Sequence, residues 1–283
     1  TNGEDSLTVP STAITLNDDG TYTVNDVDVS SLGDGTLTTT ITSTDIAGNQ
    51  DTSTDTINKD TVFGDNADGS DEGVTADIID ASDTGTSQTD NLTNDTTPTI
   101  TGVTDANSSV VITNEDGDVV GTATADENGN YSITTSELAE GSQDLTITAT
   151  DTTGNVTSTQ QNIEVDTSTS NDVDITDESG DNVINASEVS NSDISGNVEA
   201  GSTIDELTIT DGTNTVTVNV DDITLNEDGS YSIDNVDLST LNDGELTTTV
   251  TSTDIAGNQS SSTDTINKDT VFGDNADGSD EGI

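Results

Sequence analysis

The sequence has no cysteine, histidine, arginine, methionine or tryptophan. Its only basic side chains are Lys59 and Lys268, set against 58 aspartates and glutamates in 283 residues. Each absence excludes a class of chemistry. Without cysteine or histidine there are no disulfides, thiol nucleophiles, Ser-His-Asp triads or zinc sites of the usual kind. With a formal net charge of −56, the chain cannot offer the basic surface that nucleic acid requires, and an anionic membrane repels it. No apolar run is long enough to span a bilayer, so no membrane insertion is expected. Carboxylates, hydroxyls, amides and backbone carbonyls remain. These are hard oxygen donors, and the ion they suit above all is Ca2+.

Aromatics make up 2% of the residues and apolar residues 27%. A composition so polar and so charged borders on intrinsic disorder, and a core drawn from it is small relative to the chain entropy it must offset. Self-repulsion adds to the deficit. A fold therefore requires clear patterning and an external stabiliser. The opening TNGEDSLTVP has neither a cationic segment nor an apolar one, so the chain reads as a piece of something longer.

The patterning begins with an internal repeat. Residues 43–74 and 252–283 are nearly identical, and Ile14/Ile223, Tyr22/Tyr231 and Lys59/Lys268 share one offset of 209 (223 − 14). A weaker half-length echo relates NGNYSI (128–133) to NEDGSYSI (226–233), and ATDTTGN (149–155) to STDIAGN (252–258). One period is thus two related domains of about 100 residues, a common domain size. The expected organisation is 1–60, the C-terminal part of a B-type domain; 61–167, an A-type domain; 168–268, a complete B-type domain; and 269–283, the opening of a further A-type domain.

Within these segments apolar residues alternate with threonine: Leu145, Ile147 and Ala149; Leu207 and Ile209; Val216, Val218 and Val220. Period two over short runs predicts strands, and Asp-Gly, Asn-Gly and Gly-Asn pairs supply the turns. The predicted fold class is all-β, with tandem Ig-like β-sandwich domains in an extended array. The segments SELAEG (136–141) and DLSTLNDG (237–244) are expected to be short crossovers, not helices. Tyr22, Tyr131 and Tyr231 share one context and are expected to point into the cores.

The acids gather in loops and at the expected domain joints. DESGDNVINASE (177–188) follows the ligand ladder of a twelve-residue calcium loop, with Asp177, Ser179, Asp181 and Glu188 at positions 1, 3, 5 and 12. At position 6, Asn182 stands where such loops carry glycine, and asparagine tolerates the left-handed conformation. A second group is the Asp-x-x-Gly-Asn turn at Asp45, Asp151 and Asp254, which is equally an ordinary Asx-closed hairpin turn. A third comprises Asp60, Asp166 and Asp269, each leaving the last strand of a domain, where an ion would bridge it to a turn of the second group. The fourth comprises Asp65, Asp68, Asp71 and Glu72, together with Asp83, Asp90 and Asp95. All are predicted metal ligands for several Ca2+ ions. The acids before the tight-turn glycines (Asp18, Asp19, Asp126, Glu127, Glu227 and Asp228) are read mainly as turn residues.

The order of motifs resembles a known family. A DGxYxI strand followed by TDIAGN and then NKDT or VDT, with GDNVINASE before ISGNVEAGS and with ASDTGTSQTDNLTNDTTPTITG (81–102), is similar to the bacterial Ig-like tandem repeats of giant RTX-type surface adhesins. The resemblance spans essentially the whole chain. It implies an extracellular array on the surface of a Gram-negative cell, exported by a type I system, whose middle repeats act as an extender rigidified by calcium in loops and at joints. The implied partners are neighbouring repeats of the same polypeptide. The alternative is an adhesive module for glycan, ice or another cell. A lone tyrosine per domain makes a poor sugar platform, however, and β-propensity accounts for the threonine-rich strands 38–44 and 247–253. An enzyme with a small-molecule substrate is not expected, because paired carboxylates at arbitrary spacing carry no information in so acidic a chain and no cleft-lining aromatics exist.

Overall fold

The computed structural model describes residues 1–64 and 73–271. Those residues are strands, turns and two 3-10 turns, Ser11–Ala13 and Val220–Asp222, in keeping with the all-β expectation. By compactness they divide into two units. One gathers residues 1–77, 101–133 and 146–160, and the other residues 78–100, 134–145 and 161 onward. The segment expected to be the A-type domain contributes to both.

Residues 1–60 hold two hairpins. β1 (Thr15–Leu16) pairs with β2 (Tyr22–Thr23). β3 (Gly35–Thr44) pairs with β4 (Gln50–Lys59), in register from Gly35↔Lys59 to Thr44↔Gln50. Each pair is a two-stranded sheet by itself. Of the apolar side chains in this stretch, only Leu32 and Leu37 are buried.

The A-type segment contributes β5 (Asp77–Ile78), β6 (Leu92–Thr93), β7 (Thr99–Val103), β8 (Ser109–Thr113), β9 (Val119–Thr124), β10 (Asn130–Thr134), β11 (Gly141–Thr150) and β12 (Val156–Val165). They form a three-stranded sheet in the order β10-β7-β5 and a five-stranded sheet in the order β6-β12-β11-β8-β9. Alternation holds in detail: Leu145, Ile147 and Ala149 of β11 are buried and the threonines between them are half-buried, as period-two strands with one inner face require.

The B-type segment repeats the plan. Its strands are β13 (Asp174–Thr176), β14 (Val183–Ile184), β15 (Ser192–Asn197), β16 (Thr203–Thr210), β17 (Thr215–Val218), β18 (Thr224–Leu225), β19 (Ser230–Val236), β20 (Gly244–Thr253) and β21 (Gln259–Lys268). The sheets run β13-β15-β19-β18 and β14-β21-β20-β16-β17, which is the A-type order with one edge strand added. In both segments the short entry strand pairs parallel with the last strand, Glu164↔Leu92 and Val165↔Thr93 in one, Val183↔Asn267 and Ile184↔Lys268 in the other. The B-type core lies between its sheets and includes Ile175, Ile184, Ile194, Leu207, Ile209, Leu246, Val250 and Ile266. Residues 136–140 and 237–243 contain no helix, as expected.

Two expectations need correction. Val220 does not continue the alternation of β17. Asn219 ends the strand by accepting a hydrogen bond from the Asp221 N–H, and Val220 enters a 3-10 turn and is exposed. Tyr22 does not point into a core, being 49% exposed where Tyr231 is 2% exposed. The inward pose needs an opposing strand. Tyr231 stands across from Gly196, and its hydroxyl donates to the Asp172 carbonyl at 2.8 Å. A Cβ on Gly196 would meet that hydroxyl at 2.6 Å, so glycine is what lets the ring lie flat there. Tyr131 donates to the Thr75 carbonyl in the same way, and burial pushes its hydroxyl up to about 12.

The two lysines are structural. Lys268 is buried; its ammonium donates to the Leu241 carbonyl and lies 3.5 Å from Asp243. Lys59 repeats this with Leu32 at 2.8 Å and Asp34 at 2.7 Å. The A-type segment has buried Val165 at the matching place. Replacing Lys268 by Met keeps the stem volume but strands the carbonyl. We expect a loss of about 1–3 kcal/mol, read as a lower urea midpoint with an unchanged slope.

Candidate metal centres

The segment 177–188 lies between β13 and β15 and contains the short strand β14. Asn182 has φ 63°, the left-handed conformation its position requires. The Asp177 carboxylate accepts from the backbone N–H groups of Gly180 at 3.0 Å and Asp181 at 2.9 Å and from the Ser179 hydroxyl at 3.2 Å. Desolvation pulls its pKa upward. The Asp181 side chain and the N–H groups of Asp181 and Val183 outweigh that and hold it down at about 2. Glu188 is buried and folds back over the loop, one oxygen accepting from Ser179 N–H at 3.0 Å and the other from Asn185 N–H at 3.1 Å. The expected ligand types therefore line one loop, with their carboxylates engaged by its own backbone.

Each Asp-x-x-Gly-Asn turn closes on its aspartate. Asp45 accepts from the backbone N–H groups of Ala47 and Asn49 and from the Asn49 amide. Asp151 accepts from Thr153, Gly154 and Asn155. Asp254, which is buried, accepts from the backbone N–H and side-chain amide of Asn258. Hydrogen bonds from the asparagine, its side chain first, lower the Asp45 carboxyl from its ordinary value.

Two of the three linker aspartates, Asp60 and Asp166, reach a turn of the second group. Asp60 receives hydrogen bonds from the Asn155 amide at 3.0 Å and the Thr153 hydroxyl at 2.9 Å. Asp166 offers its backbone carbonyl to the Asn258 amide at 2.8 Å. In each case the residue after a ten-residue strand reaches a turn further along the chain. The Asp166 and Asp269 N–H groups also donate to Thr93 and Ile184 in the strand each repeat enters by, at 2.8 and 2.9 Å. The second meeting place is larger. Thr84 Oγ1 donates to the Ala256 carbonyl at 2.8 Å and Thr86 N–H to the Ile255 carbonyl at 3.2 Å. Gly85 sits so close that a Cβ there would lie 2.0 Å from the Ile255 oxygen, and its φ is +89°.

Of the fourth group, Asp83 is buried beside Thr84 in sequence, Asp95 accepts from the Ser82 hydroxyl at 2.9 Å, and Asp90 caps Leu92 N–H. Asp65, Asp68, Asp71 and Glu72 lie outside the described residues, as does their repeat at 273–282.

Sequence reasoning missed Glu199. Burial first, then the charges of Asp166 and Asp254, raise its carboxyl above the ordinary glutamate value. Two carboxylates from separate stretches thus act on Glu199 near the linker. A signal for Glu199 existed: Asp105-Ala-Asn-Ser and Glu199-Ala-Gly-Ser occupy the same place in the two repeats, and both Asn107 and Gly201 have positive φ. Among the described residues no three carboxylates converge closely enough to hold a metal ion as they stand.

The family model of the bacterial Ig-like domain matches residues 71–167. Among solved structures, the chain is similar to a tetra-tandem repeat in the extending region of a large adhesion protein. The identity is 30%, covering 90% of this chain and 62% of that one, with a TM-score of 0.34. It is also similar to a Ca2+-stabilized adhesin with which an Antarctic bacterium reaches out and binds ice (23% identity, 83% and 57% coverage, TM-score 0.45). A third is a bacterial ice-binding adhesin described for its retention at the host cell surface (22%, 84% and 76%, TM-score 0.46). The chain thus spans about three fifths of the length of the first two. No curated protein matches it.

Proposed function

Starting from a chain that carries a bacterial Ig-like domain over residues 71–167, a structural module and not an enzyme, we propose that it is a spacer segment of a large cell-surface adhesin, stiffened outside the cell by calcium at its repeat joints and in the 177–188 loop. The repeat boundaries on this reading are 60/61, 167/168 and 268/269.

The observation that carries the reading is the recurrent joint. Twice an aspartate after a last strand meets an Asp-x-x-Gly-Asn turn further along the chain, the Asp60 carboxylate with Thr153 and Asn155, and the Asp166 backbone carbonyl with Asn258. At the second, Glu199 is crowded by two carboxylates. The donor set is carboxylate, carbonyl, amide and hydroxyl oxygen, which fits Ca2+ and excludes softer metals. The buried Ser202 hydroxyl, three residues after Glu199, has no protein partner, so an oxygen donor is spare. Asp166, Glu199 and Asp254 would hold an ion at this joint, Asp60 and Asp151 at the first, and Asp177, Asp181 and Glu188 in the loop. The ion supplies positive charge. The residues themselves fix the linker against the turn through the asparagine amides, and the bound charge turns their mutual repulsion into attraction. The remaining acids of the second to fourth groups, Asp45, Asp269, Asp65, Asp68, Asp71, Glu72, Asp83, Asp90 and Asp95, belong to the same proposal as ligands at further joints and loops.

Glu199 tests the joint. Because its folded pKa is raised, its contribution to stability is complete below the ordinary 4.5 and is lost as pH rises through the folded value. The calcium-free chain should therefore melt higher at pH 5 than at pH 7. Glu199→Gln should raise the calcium-free melting temperature at pH 7, flatten that pH dependence and shrink the gain from calcium. A variant that melts lower without calcium and keeps the full calcium gain would overturn the joint site. Asp177 has the opposite sign: its contribution is present above about 3.8 and is lost as pH falls through about 2.

A further inference from the structure

The B-type core carries a polar seam at a place where the A-type core is apolar. Tyr131 donates to the Thr75 carbonyl and Tyr231 to the Asp172 carbonyl, so Asn171 stands where the A-type segment has Val74. Gly141 and Gly244 open the matching strands β11 and β20, so Thr248 and Ser252 stand where that segment has Leu145 and Ala149. Val74, Leu145 and Ala149 are buried, and Thr248 and Ser252 are fully buried. Three positions that are apolar in one repeat are thus polar in the other. Two of them, Asn171 and Ser252, lie 81 residues apart in the chain and touch.

These groups meet across the two sheets. The Asn171 amide donates to the Ser252 hydroxyl at 2.9 Å and to the Ser260 carbonyl at 3.0 Å. Further along, the N–H of Ile175 in β13 donates to one oxygen of Asp264 in β21 at 3.0 Å. Thr248 stands directly across from Asp264, and Ser262 precedes Asp264 by two residues on β21, hence on the same face. Along this seam three buried oxygens have no protein partner: Asn171 Oδ1, Thr248 Oγ1 and Ser262 Oγ. Asp264 adds a second oxygen besides the one that Ile175 holds. Buried oxygens left without partners are costly, and protein interiors supply them with polar groups or ordered water.

We propose that this seam is an internal water site, a short file of about two water molecules held between the opening strand of the B-type repeat and the inner face of β20 and β21. The chemistry of the oxygens selects the ligand. Asn171 Oδ1 and the second Asp264 oxygen only accept, whereas the Thr248 and Ser262 hydroxyls donate as well as accept. Water matches both kinds, donating to the amide and carboxylate oxygens and exchanging bonds with the hydroxyls. More than one molecule is needed, because residues two apart on a strand lie about 6.8 Å from each other and the seam runs from Asn171 past Ser262 to Asp264. The file ties the strand to the opposite sheet, a task that Val74, Leu145 and Ala149 perform in the A-type segment by apolar packing.

The test compares the full chain with two variants, all in chelator so that calcium plays no part. Thr248→Val keeps the side-chain shape and removes the hydroxyl. Its melting temperature should fall by about 4 °C, because a water-bridged hydrogen bond is lost. In a seam without water the same change would relieve an unpartnered hydroxyl, and the melting temperature would rise. The second variant carries the A-type residues together, N171V, T248L and S252A, with its strands checked by circular dichroism. Magnetic relaxation dispersion of the solvent oxygen counts long-lived internal waters, and the count should drop by about two from the full chain to this variant. A higher melting temperature for Thr248→Val, or an unchanged water count in the folded triple variant, would overturn the proposal.

Discussion

On the proposed calcium reading, about 10 mM calcium should raise the melting temperature of the chain by about 10–20 °C over chelator, and magnesium should not. This is the largest effect expected of the molecule. Calcium sites in extracellular modules bind at about 10⁻⁴–10⁻³ M. An ion at about a hundred times its dissociation constant stabilises the folded state by about 2.7 kcal/mol per site, and each kcal/mol moves the midpoint of a domain of this size by about 4–8 °C. The charge balance of the chain, 58 acids against two lysines, leaves repulsion for the ion to relieve. Asp254→Asn and Asp166→Asn should each remove a large share of the gain. For Asp166→Asn the calcium-free midpoint should hold, because Asn258 binds the backbone carbonyl there, whereas Asp254→Asn also removes one of the two oxygens that accept from Asn258 and should lower it. Scanning calorimetry with chelator, calcium and magnesium decides it. Equal midpoints in all three would leave the joints as hydrogen-bonded turns and withdraw calcium from the function.

The second large effect is a contrast between identical residues. Ile266→Ala empties a buried position in the closed B-type core and should cost about 2–5 kcal/mol. Ile57→Ala, the same letter in the same local sequence, removes a side chain already in water and should cost less than about 0.5 kcal/mol. Urea titration of both variants measures the pair. Equal losses would mean that residues 1–60 are closed in solution by something the chain itself provides.

That contrast also marks what a sequence can disclose. The strands were legible because alternation is a local property: Leu145, Ile147 and Ala149 turn inward wherever a strand has one inner face. The turns were legible from Asp-Gly and Asn-Gly. Burial is a property of partners, and nothing in the letters around Tyr22 differs enough from those around Tyr231 to foretell that one ring is exposed. Val220 misled for a nearer reason, since Asn219 ends the strand by capping a turn, and a period count does not register caps. The linker aspartates and the turns were visible as separate groups, and the structure brings Asp60 to the turn at Asp151 and Asp166 to the turn at Asp254. Glu199 stayed hidden because one acid among 58 carries no signal on its own. It becomes visible only when placed over Asp105 of the other repeat.

The commitment of both lysines has a consequence for proteolysis. Proteases that cut after a cationic side chain find no arginine here and two lysines, so the chain offers them two peptide bonds, Lys59–Asp60 and Lys268–Asp269. Each bond carries an aspartate on its far side and a lysine whose ammonium is already held by a carbonyl and a carboxylate of its own repeat. Digestion by trypsin-like enzymes is thereby confined to these two bonds, and to moments when a lysine has left its place.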